Sequence, residues 1–358
     1  MSTGDEVRFE VRGVLGVITL DRPKALNALT REMVDAMSAQ LRDWRLDPKV
    51  AAVLVEAVPG RAFCAGGDVR AVVEAAATTG AESAMPFFRD EYRLNWRIKS
   101  LGKPYISLLD GVTMGGGVGI SVHGTHRVVT ESTLFAMPET GIGFFPDVGG
   151  SYFLPRCPGA IGMYLGLSGA RLRAAECLTA GIGTHHVAAA RLPELLERLA
   201  DAPATGLATA LEETLRDMAS APAEPCTLRG RRSPIDELFR ASDPAALVRG
   251  LEQDEREWAR EQGRLLRRHS PLAVCLTFAQ IVRGAELDFA GCMRLEYAMV
   301  RHMLEHGEFA EGVRALLIDK DKQPRWRHRA IEDVTMAEIA SIMAPVTGPE
   351  LPLDWQGV

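Results

Sequence analysis

The first half of the chain alternates short apolar runs with segments of helical periodicity. Residues 7–11 and 14–20 are rich in β-branched side chains and flank Arg12-Gly13, which predicts a β-hairpin. Further strands are predicted at 50–55, 105–109 and 127–130. Because helical segments separate these strands, the pattern indicates an α/β fold with parallel pairing.

Helical periodicity is clear at one place near the N-terminus and dominates after residue 200. Thr30 is a predicted N-cap for a helix that ends before Asp47-Pro48, with apolar residues at three- and four-residue spacing. Later helices are predicted at 246–268, 271–283 and 289–306. We therefore predict an α/β core over residues 1–200 and a mainly helical C-terminal region over residues 201–358.

Composition and charge narrow the class of protein. The 358 residues are 47% hydrophobic and 25% charged, with a net charge of -6, so no basic excess exists to neutralise nucleic-acid phosphates. The six cysteines lack CxxC pairs and metal-type spacing, which predicts reduced thiols. The N-terminus lacks the apolar core of a signal peptide, and no run approaches the roughly 20 apolar residues of a membrane span. A cytoplasmic protein with no membrane or nucleic-acid partner is expected.

Two glycine-rich turns follow predicted strands: 63-FCAGGD-68 and 114-MGGGVG-119. Glycine permits positive φ and the close approach of another group to a backbone N–H, and the first N–H groups of a helix are unpaired. Side by side, two such turns would form a two-donor oxyanion hole. They could equally be tight strand-to-helix turns. Neither spells GxGxxG or GxxxxGK[ST], so these nucleotide-binding motifs are absent.

Several ordered motifs resemble one family over most of the chain. They are 22-RPKALNAL-29, 63-FCAGGD-68, 110-DGVTMGGGVGISVHG-124, 138-PETGIGFFPDVGG-150 and 309-FAEGVRALLIDKDKQPRW-326. The set is similar to the enoyl-CoA hydratase/isomerase, or crotonase, superfamily, and more narrowly to its 3-hydroxyisobutyryl-CoA hydrolase branch. The resemblance implies a crotonase-like spiral of β-β-α turns, followed by a helical region that closes over the site or packs against another subunit of a homo-oligomer.

The resemblance also implies the catalytic groups. The oxyanion donors would be the N–H groups of Gly67 and Gly116, and Glu139 matches the second catalytic glutamate of the hydratases. The hydratases carry their first glutamate where this chain has Gly119. Two-glutamate hydration is therefore in doubt, whereas one carboxylate beside a polarised thioester still suits acyl transfer to water, with Glu139 acting as a general base or as a nucleophile.

Two further acidic residues match the hydrolase branch. Asp147 would belong to the site, and Glu91 would contact the substrate, both orienting a 3-hydroxyl group or assisting proton transfer. By local pattern alone Asp147 could be a turn former, Glu91 a solvated helix charge, and Glu139 a cap after Pro138. These structural interpretations stay open.

Coenzyme A would be part of the substrate, and no metal or redox cofactor is implied. By resemblance, the backbone around Ala62, Ala65 and Asp68 would contact its adenine and pantetheine parts. Lys24, with Arg22, is a candidate for the phosphates by position. The predicted activity is hydrolysis of a short 3-hydroxyacyl-CoA, foremost 3-hydroxyisobutyryl-CoA of valine breakdown. The alternatives are an enoyl-CoA hydratase or isomerase, and a noncatalytic acyl-CoA-binding protein.

Overall fold

The computed structural model describes residues 6–345 and 350–356. Its first half confirms the alternation of strands and helices that the sequence predicts. The strands are β1 (Val7–Arg12), β2 (Leu15–Leu20), β3 (Ala52–Ala57), β4 (Ala62–Cys64), β5 (Tyr105–Leu109), β6 (Val112–Met114), β7 (His126–Val129), β8 (Leu134–Ala136) and β9 (His185–His186).

The strands form two sheets that the chain visits in turn. The larger sheet has the order β1-β2-β3-β5-β7-β9, and the smaller has the order β4-β6-β8. The β1–β2 hairpin is antiparallel, as predicted, and every other strand pair is parallel. In three successive turns, β3–β4, β5–β6 and β7–β8, the chain adds one strand to each sheet. The predicted spiral of β-β-α turns is therefore the observed architecture.

The inner strands of the larger sheet are buried on both faces, whereas the edge strand β1 is largely exposed. Every residue of β2 is buried, and its neighbours Val17 and Ile18 belong to two separate apolar clusters on opposite faces. Strands covered on both faces lose the alternation of apolar and polar residues, which explains the continuous apolar run in this part of the sequence. One face therefore packs against the long helices of the first half, and the other against the helices near residue 200.

Helices make up most of the remaining structure. Thr30 caps the first of them, because its side chain accepts a hydrogen bond from the Met33 N–H at 3.2 Å, as the sequence predicts. The helices are α1 (Arg31–Leu46), α2 (Val69–Thr79), α3 (Met85–Lys99), α4 (Gly116–Gly119), α5 (Gly150–Phe153), α6 (Ile161–Ser168), α7 (Ala174–Ala180), α8 (Leu192–Ala200), α9 (Leu207–Met218), α10 (Thr227–Gly230), α11 (Arg232–Leu238), α12 (Pro244–Gln253), α13 (Glu257–Arg268), α14 (Pro271–Gly284), α15 (Phe289–His306), α16 (Glu308–Val313) and α17 (Met336–Ile342).

One predicted helix is wrong in its extent. The segment 246–268 is two helices, α12 and α13, separated at Asp254–Arg256. The Asp254 carboxylate accepts a hydrogen bond from the Arg256 N–H at 2.8 Å, and this local turn offers the backbone an alternative to the helical ladder. Apolar periodicity does not reveal such a break, because the apolar residues of both helices face the same core.

The C-terminal region packs onto the α/β core. Beyond β9, the described residues form helices and turns, and the main apolar cluster contains residues from both halves of the chain, such as Phe144 and Phe309. The boundary near residue 200 stays a prediction. Within the described segments, no helix combines the length and apolar character that crossing a membrane requires.

Candidate active site

Two backbone N–H groups lie side by side where two strands of the smaller sheet end. Gly67 follows β4 and Gly116 follows β6, and these strands are parallel neighbours. Gly66 and Gly115, one residue before each, have φ of 127° and 47°, which glycine adopts readily. An ideal Cβ on Gly116 would lie 3.1 Å from the Gly67 nitrogen. Neither N–H finds an acceptor among the described residues, so both are available to a substrate oxygen.

Three carboxyl groups border the same cavity, which has a volume of about 250 Å³. Glu139 begins a short 3-10 helix after β8, Asp147 lies in the following loop, and Glu91 comes from α3. All three are at most 6% exposed. Glu139 Oε2 and Glu91 Oε1 have no hydrogen-bond partner in the described part of the chain, whereas Asp147 accepts a hydrogen bond from the Tyr92 hydroxyl at 2.8 Å. The glycine-rich turns and the acidic residues, which belong to separate motifs of the sequence, thus line one cavity.

The cavity wall is apolar apart from these groups. Besides the glycines and carboxyl groups, its lining consists of Ala65, Val69, Phe87, Phe88, Met114, Pro138, Ile142, Phe144, Phe309 and Leu317. The rings of Phe144 and Phe309 have centroids 4.5 Å apart, so the C-terminal region supplies part of the wall. An apolar wall excludes water and strengthens every electrostatic interaction inside it.

Burial raises the pKa of all three carboxyl groups, and the charge of Asp147 raises the pKa of Glu91 and Glu139 further. The pKa of Asp147 is raised to about 7, while the hydrogen bond from Tyr92 acts in the opposite direction. Among the described residues that line the cavity, none is a lysine or an arginine. A carboxyl group with a pKa near 7, as at Asp147, exchanges a proton readily at neutral pH, which suits a group that acts on a substrate or a water.

Asp147→Asn is expected to flatten the pH dependence of stability. Burial raises the pKa of Asp147 from 3.8 to about 7. Between these two pH values the folded chain therefore keeps a proton that the unfolded chain has already released. The free energy of unfolding must then fall as pH rises through this window. We expect urea unfolding to show a drop between pH 5 and pH 8 that is on the order of 2–4 kcal/mol larger in the unsubstituted protein than in Asp147→Asn.

The exposed Asp217, exchanged for asparagine, is the control for this measurement. It should leave the drop between the two pH values unchanged. Equal drops in the unsubstituted protein and in Asp147→Asn would contradict a raised pKa at Asp147.

The other predicted binding residues occupy varied environments. Ala65 lines the cavity, whereas Ala62 is buried in β4 with its carbonyl accepting a hydrogen bond from the Asn27 amide at 2.9 Å. Asp68 caps α2 and pairs with the Arg22 guanidinium at 3.1 Å.

The two basic residues predicted for the phosphates differ in how they are held. Arg22 also pairs with Glu6, at 3.2 Å, so its guanidinium is engaged within the protein. Lys24 is exposed in the 3-10 helix Pro23–Ala25. The roles of these residues toward coenzyme A stay predictions.

A side chain at position 119 has no room. An ideal Cβ on Gly119 would lie 2.7 Å from Val148 Cβ and 2.8 Å from Asn95 Nδ2. Asn95 is fully buried, and neither of its amide atoms has a partner among the described residues. The place where, by resemblance, a hydratase carries its first glutamate is thus filled by neighbouring side chains.

The sequence alone did not indicate Tyr92, Asn95, His123 or Glu296 as parts of this site. Tyr92 and Asn95 lie on α3 close to Glu91, but a helical pattern does not show which face meets the cavity. His123 and Glu296 contact the loop after Asp147 from distant parts of the chain. A signal for them exists only in the folded structure.

Two unpaired backbone N–H groups beside buried carboxyl groups suit an enzyme that polarises a carbonyl oxygen. The model of the enoyl-CoA hydratase/isomerase family matches residues 15–343, and the chain belongs to this family. The resemblance read from the motifs is therefore confirmed, and family membership supports an acyl-CoA as the substrate.

Curated relatives match most of the chain. The protein from Danio rerio named 3-hydroxyisobutyryl-CoA hydrolase, mitochondrial, is 43% identical over 335 residues, covering 93% of this chain and 87% of the relative. The Homo sapiens protein of the same name is 40% identical over 338 residues, covering 94% and 87%.

The names of these relatives contradict the predicted cytoplasmic location, which is wrong. Reduced cysteines and the lack of a signal-peptide core do not distinguish the cytoplasm from other reducing compartments.

Solved structures confirm the crotonase fold. A structure titled as a carnitinyl-CoA dehydratase from Mycobacterium thermoresistibile superposes with a TM-score of 0.90 at 38% identity, covering 98% of this chain and 99% of that chain. One titled as an enoyl-CoA hydratase from Rhodobacter sphaeroides gives a TM-score of 0.86 at 39% identity, covering 95% and 98%. Both coverages include the helical C-terminal region.

Proposed function

We propose that the protein hydrolyses the thioester of 3-hydroxyisobutyryl-CoA to 3-hydroxyisobutyrate and coenzyme A. The curated relatives that match over most of the chain carry the name of this activity. The observation that carries the proposal is the closed space at Gly119: a second glutamate cannot be placed there, while Glu139 keeps an unpartnered oxygen beside the two backbone donors. A role in valine breakdown stays a prediction.

In this mechanism, Gly67 and Gly116 donate hydrogen bonds to the thioester oxygen and stabilise the negative charge that develops on it. One such donor in an enzyme typically contributes about 3 kcal/mol to stabilisation of the transition state. The oxygen of water adds to the carbonyl carbon, the carbon–sulfur bond breaks, and the sulfur leaves as coenzyme A after receiving a proton. Water is the only co-reactant that this reaction needs.

Glu139 is the group that we propose to act on the water or on the carbonyl carbon. As a general base, the ionised Glu139 carboxylate takes a proton from the attacking water and later returns it to the leaving sulfur. As a nucleophile, the ionised carboxylate adds to the carbonyl carbon and the carbon–sulfur bond breaks to form an anhydride. Water then opens this anhydride and supplies the proton that the coenzyme A thiolate receives. Asp147 and Glu91 are proposed to bind the 3-hydroxyl group, since both border the same cavity and burial raises the pKa of both.

Hydration of an enoyl-CoA is the second candidate function. The two solved structures of high similarity are titled as a dehydratase and a hydratase. Glu91 and Glu139 also provide two carboxyl groups at one cavity, although Glu91 comes from α3 rather than from the position of Gly119. A proton relay between these two groups would suffice for hydration.

A substrate panel decides between the two functions. Thiol release is measured with 3-hydroxyisobutyryl-CoA, and loss of enoyl absorbance with crotonyl-CoA, using the same protein preparation. We expect thiol release from the hydroxyacyl substrate to exceed crotonyl-CoA hydration by at least about 10²-fold in kcat/KM, a difference of roughly 3 kcal/mol in transition-state binding. Efficient hydration without thiol release would assign the second function.

A further inference from the structure

The loop that carries Asp147 contains an unusual backbone conformation. Val148, directly after Asp147, has φ of 49°, and a β-branched residue rarely adopts this left-handed region. Such conformations persist only where the surroundings hold them, and they concentrate at functional sites. The contacts of this loop therefore indicate which residues determine where the Asp147 carboxyl group points.

His123 contacts the loop at Val148. Its Nε2 lies 2.7 Å from the Val148 carbonyl oxygen, which can only accept, so Nε2 carries the proton and donates. The imidazole packs against the Phe289 ring, with centroids 4.6 Å apart. Burial lowers the pKa of His123 to about 3, so the ring is neutral and keeps this single donor arrangement at physiological pH.

Glu296 holds the other end of the loop from α15. One carboxyl oxygen accepts a hydrogen bond from the Gly149 N–H at 2.8 Å. The other accepts hydrogen bonds from the Ser151 N–H at 2.8 Å and the Ser151 hydroxyl at 2.6 Å. From α14, the Gln280 amide donates to the Pro146 carbonyl at 2.6 Å. Helices of the C-terminal region thus form hydrogen bonds with the loop on both sides of Asp147.

We propose that Glu296 and His123 are positioning residues for Asp147. Together they hold Val148 in its left-handed conformation, so that the Asp147 carboxyl group points into the cavity and meets the substrate. This inference rests on the proposed function, and it makes the C-terminal region a determinant of where the Asp147 carboxyl group points.

A glutamine could not replace the Glu296 carboxyl group without loss. Glu296 accepts from three donors through two oxygens, whereas a glutamine amide has one acceptor oxygen and would turn a second donor toward the loop. Burial, together with the charge of Asp147, raises the pKa of Glu296 to about 8, so a carboxyl group at this place is costly unless its hydrogen bonds are needed. Both arguments indicate that Glu296 is needed to hold the backbone of Gly149 and Ser151 in place.

A double-mutant cycle tests whether Glu296 acts through Asp147. We expect Glu296→Gln to lower kcat for thiol release by about 30-fold with KM changed less than about threefold, because a displacement near 1 Å can cost about 10² in rate. In the Asp147→Asn background the same exchange should lower kcat by less than about threefold. Equal losses in both backgrounds would overturn the proposal.

Asp236→Asn is the matched control. Its carboxylate accepts a hydrogen bond from the Ala160 N–H at 2.7 Å, so it also caps a backbone donor, but it lies outside the cavity lining. This variant should lose thermal stability and keep kcat.

A second pair of variants tests the hydrogen bond that His123 donates to the Val148 carbonyl. His123→Gln retains an N–H donor and should preserve more activity than His123→Leu.

A crystal structure of Glu296→Gln provides a readout that does not depend on activity. We expect Val148 to leave the positive φ region and the Asp147 carboxyl group to turn away from the cavity. An unchanged loop would overturn the inference. If the unsubstituted protein releases no thiol, the proposed function fails, while this structural comparison still decides whether Glu296 holds the loop.

Discussion

Replacing Glu139 by glutamine is expected to lower kcat for thioester hydrolysis by about 10³-fold while coenzyme A binding is retained. Glutamine has nearly the same shape, but it can neither accept a proton nor attack as a nucleophile. The Oε2 atom of Glu139 is buried and has no partner among the described residues, so an amide nitrogen at this place breaks no hydrogen bond of that atom. Thiol release and calorimetric titration with coenzyme A measure the two quantities.

Glu56→Gln provides the control for this exchange. Glu56 lies in β3, burial likewise raises its pKa, and neither Glu56 nor its hydrogen-bond donor Thr19 lines the cavity. We expect this variant to keep full activity. If Glu139→Gln turned over every acyl-CoA of the panel at the original rate, the catalytic assignment of Glu139 would have to be abandoned.

The sequence predicts those parts of the fold whose signals are local. The β1–β2 hairpin and the Thr30 cap depend on residues within a few positions of each other, and both are confirmed. The strands of the smaller sheet, such as β4 and β6, are three residues long, too short for any periodicity. The sheet that places Gly67 beside Gly116 is therefore invisible to pattern analysis, and only the family resemblance indicates it.

Burial of charge is the other feature that local pattern cannot predict. Helical periodicity gives Glu91 as a solvated residue, yet it is 2% exposed, because α3 presents it to the cavity beside Gly116. The Asp147 loop is held by Glu296, almost 150 residues further along the chain. Such pairings depend on how distant helices pack in the folded chain, and the local pattern of one sequence does not predict them.

The proposed site also differs from that of two-glutamate hydration. Besides Glu139, the cavity has an acid from α3, Glu91, whereas α4 has Gly119, which packs closely against Asn95 and Val148. Val148 in turn fixes the loop that carries Asp147. The glycine is then a requirement of the rearranged site, and it follows that restoring glutamate at this position should damage the protein.

Gly119→Glu is expected to lower the free energy of unfolding by about 3–5 kcal/mol and to create no hydratase activity. The new Cβ alone would lie 2.7 Å from Val148 Cβ and 2.8 Å from Asn95 Nδ2, well inside van der Waals contact. The carboxyl group would join three buried acids with no lysine or arginine lining the cavity among the described residues. Urea unfolding and the crotonyl-CoA assay measure the two outcomes.

Gly230→Glu is the matched control, because an ideal Cβ on Gly230 has no atom within 4 Å and its φ is not positive. It should change stability by less than about 1 kcal/mol. Asn95→Ala combined with Gly119→Glu removes one of the two clashes and should recover part of the lost stability. A stable Gly119→Glu variant that hydrates crotonyl-CoA would show that the missing glutamate, and not the rearrangement around Asn95 and Val148, separates this chain from the hydratases.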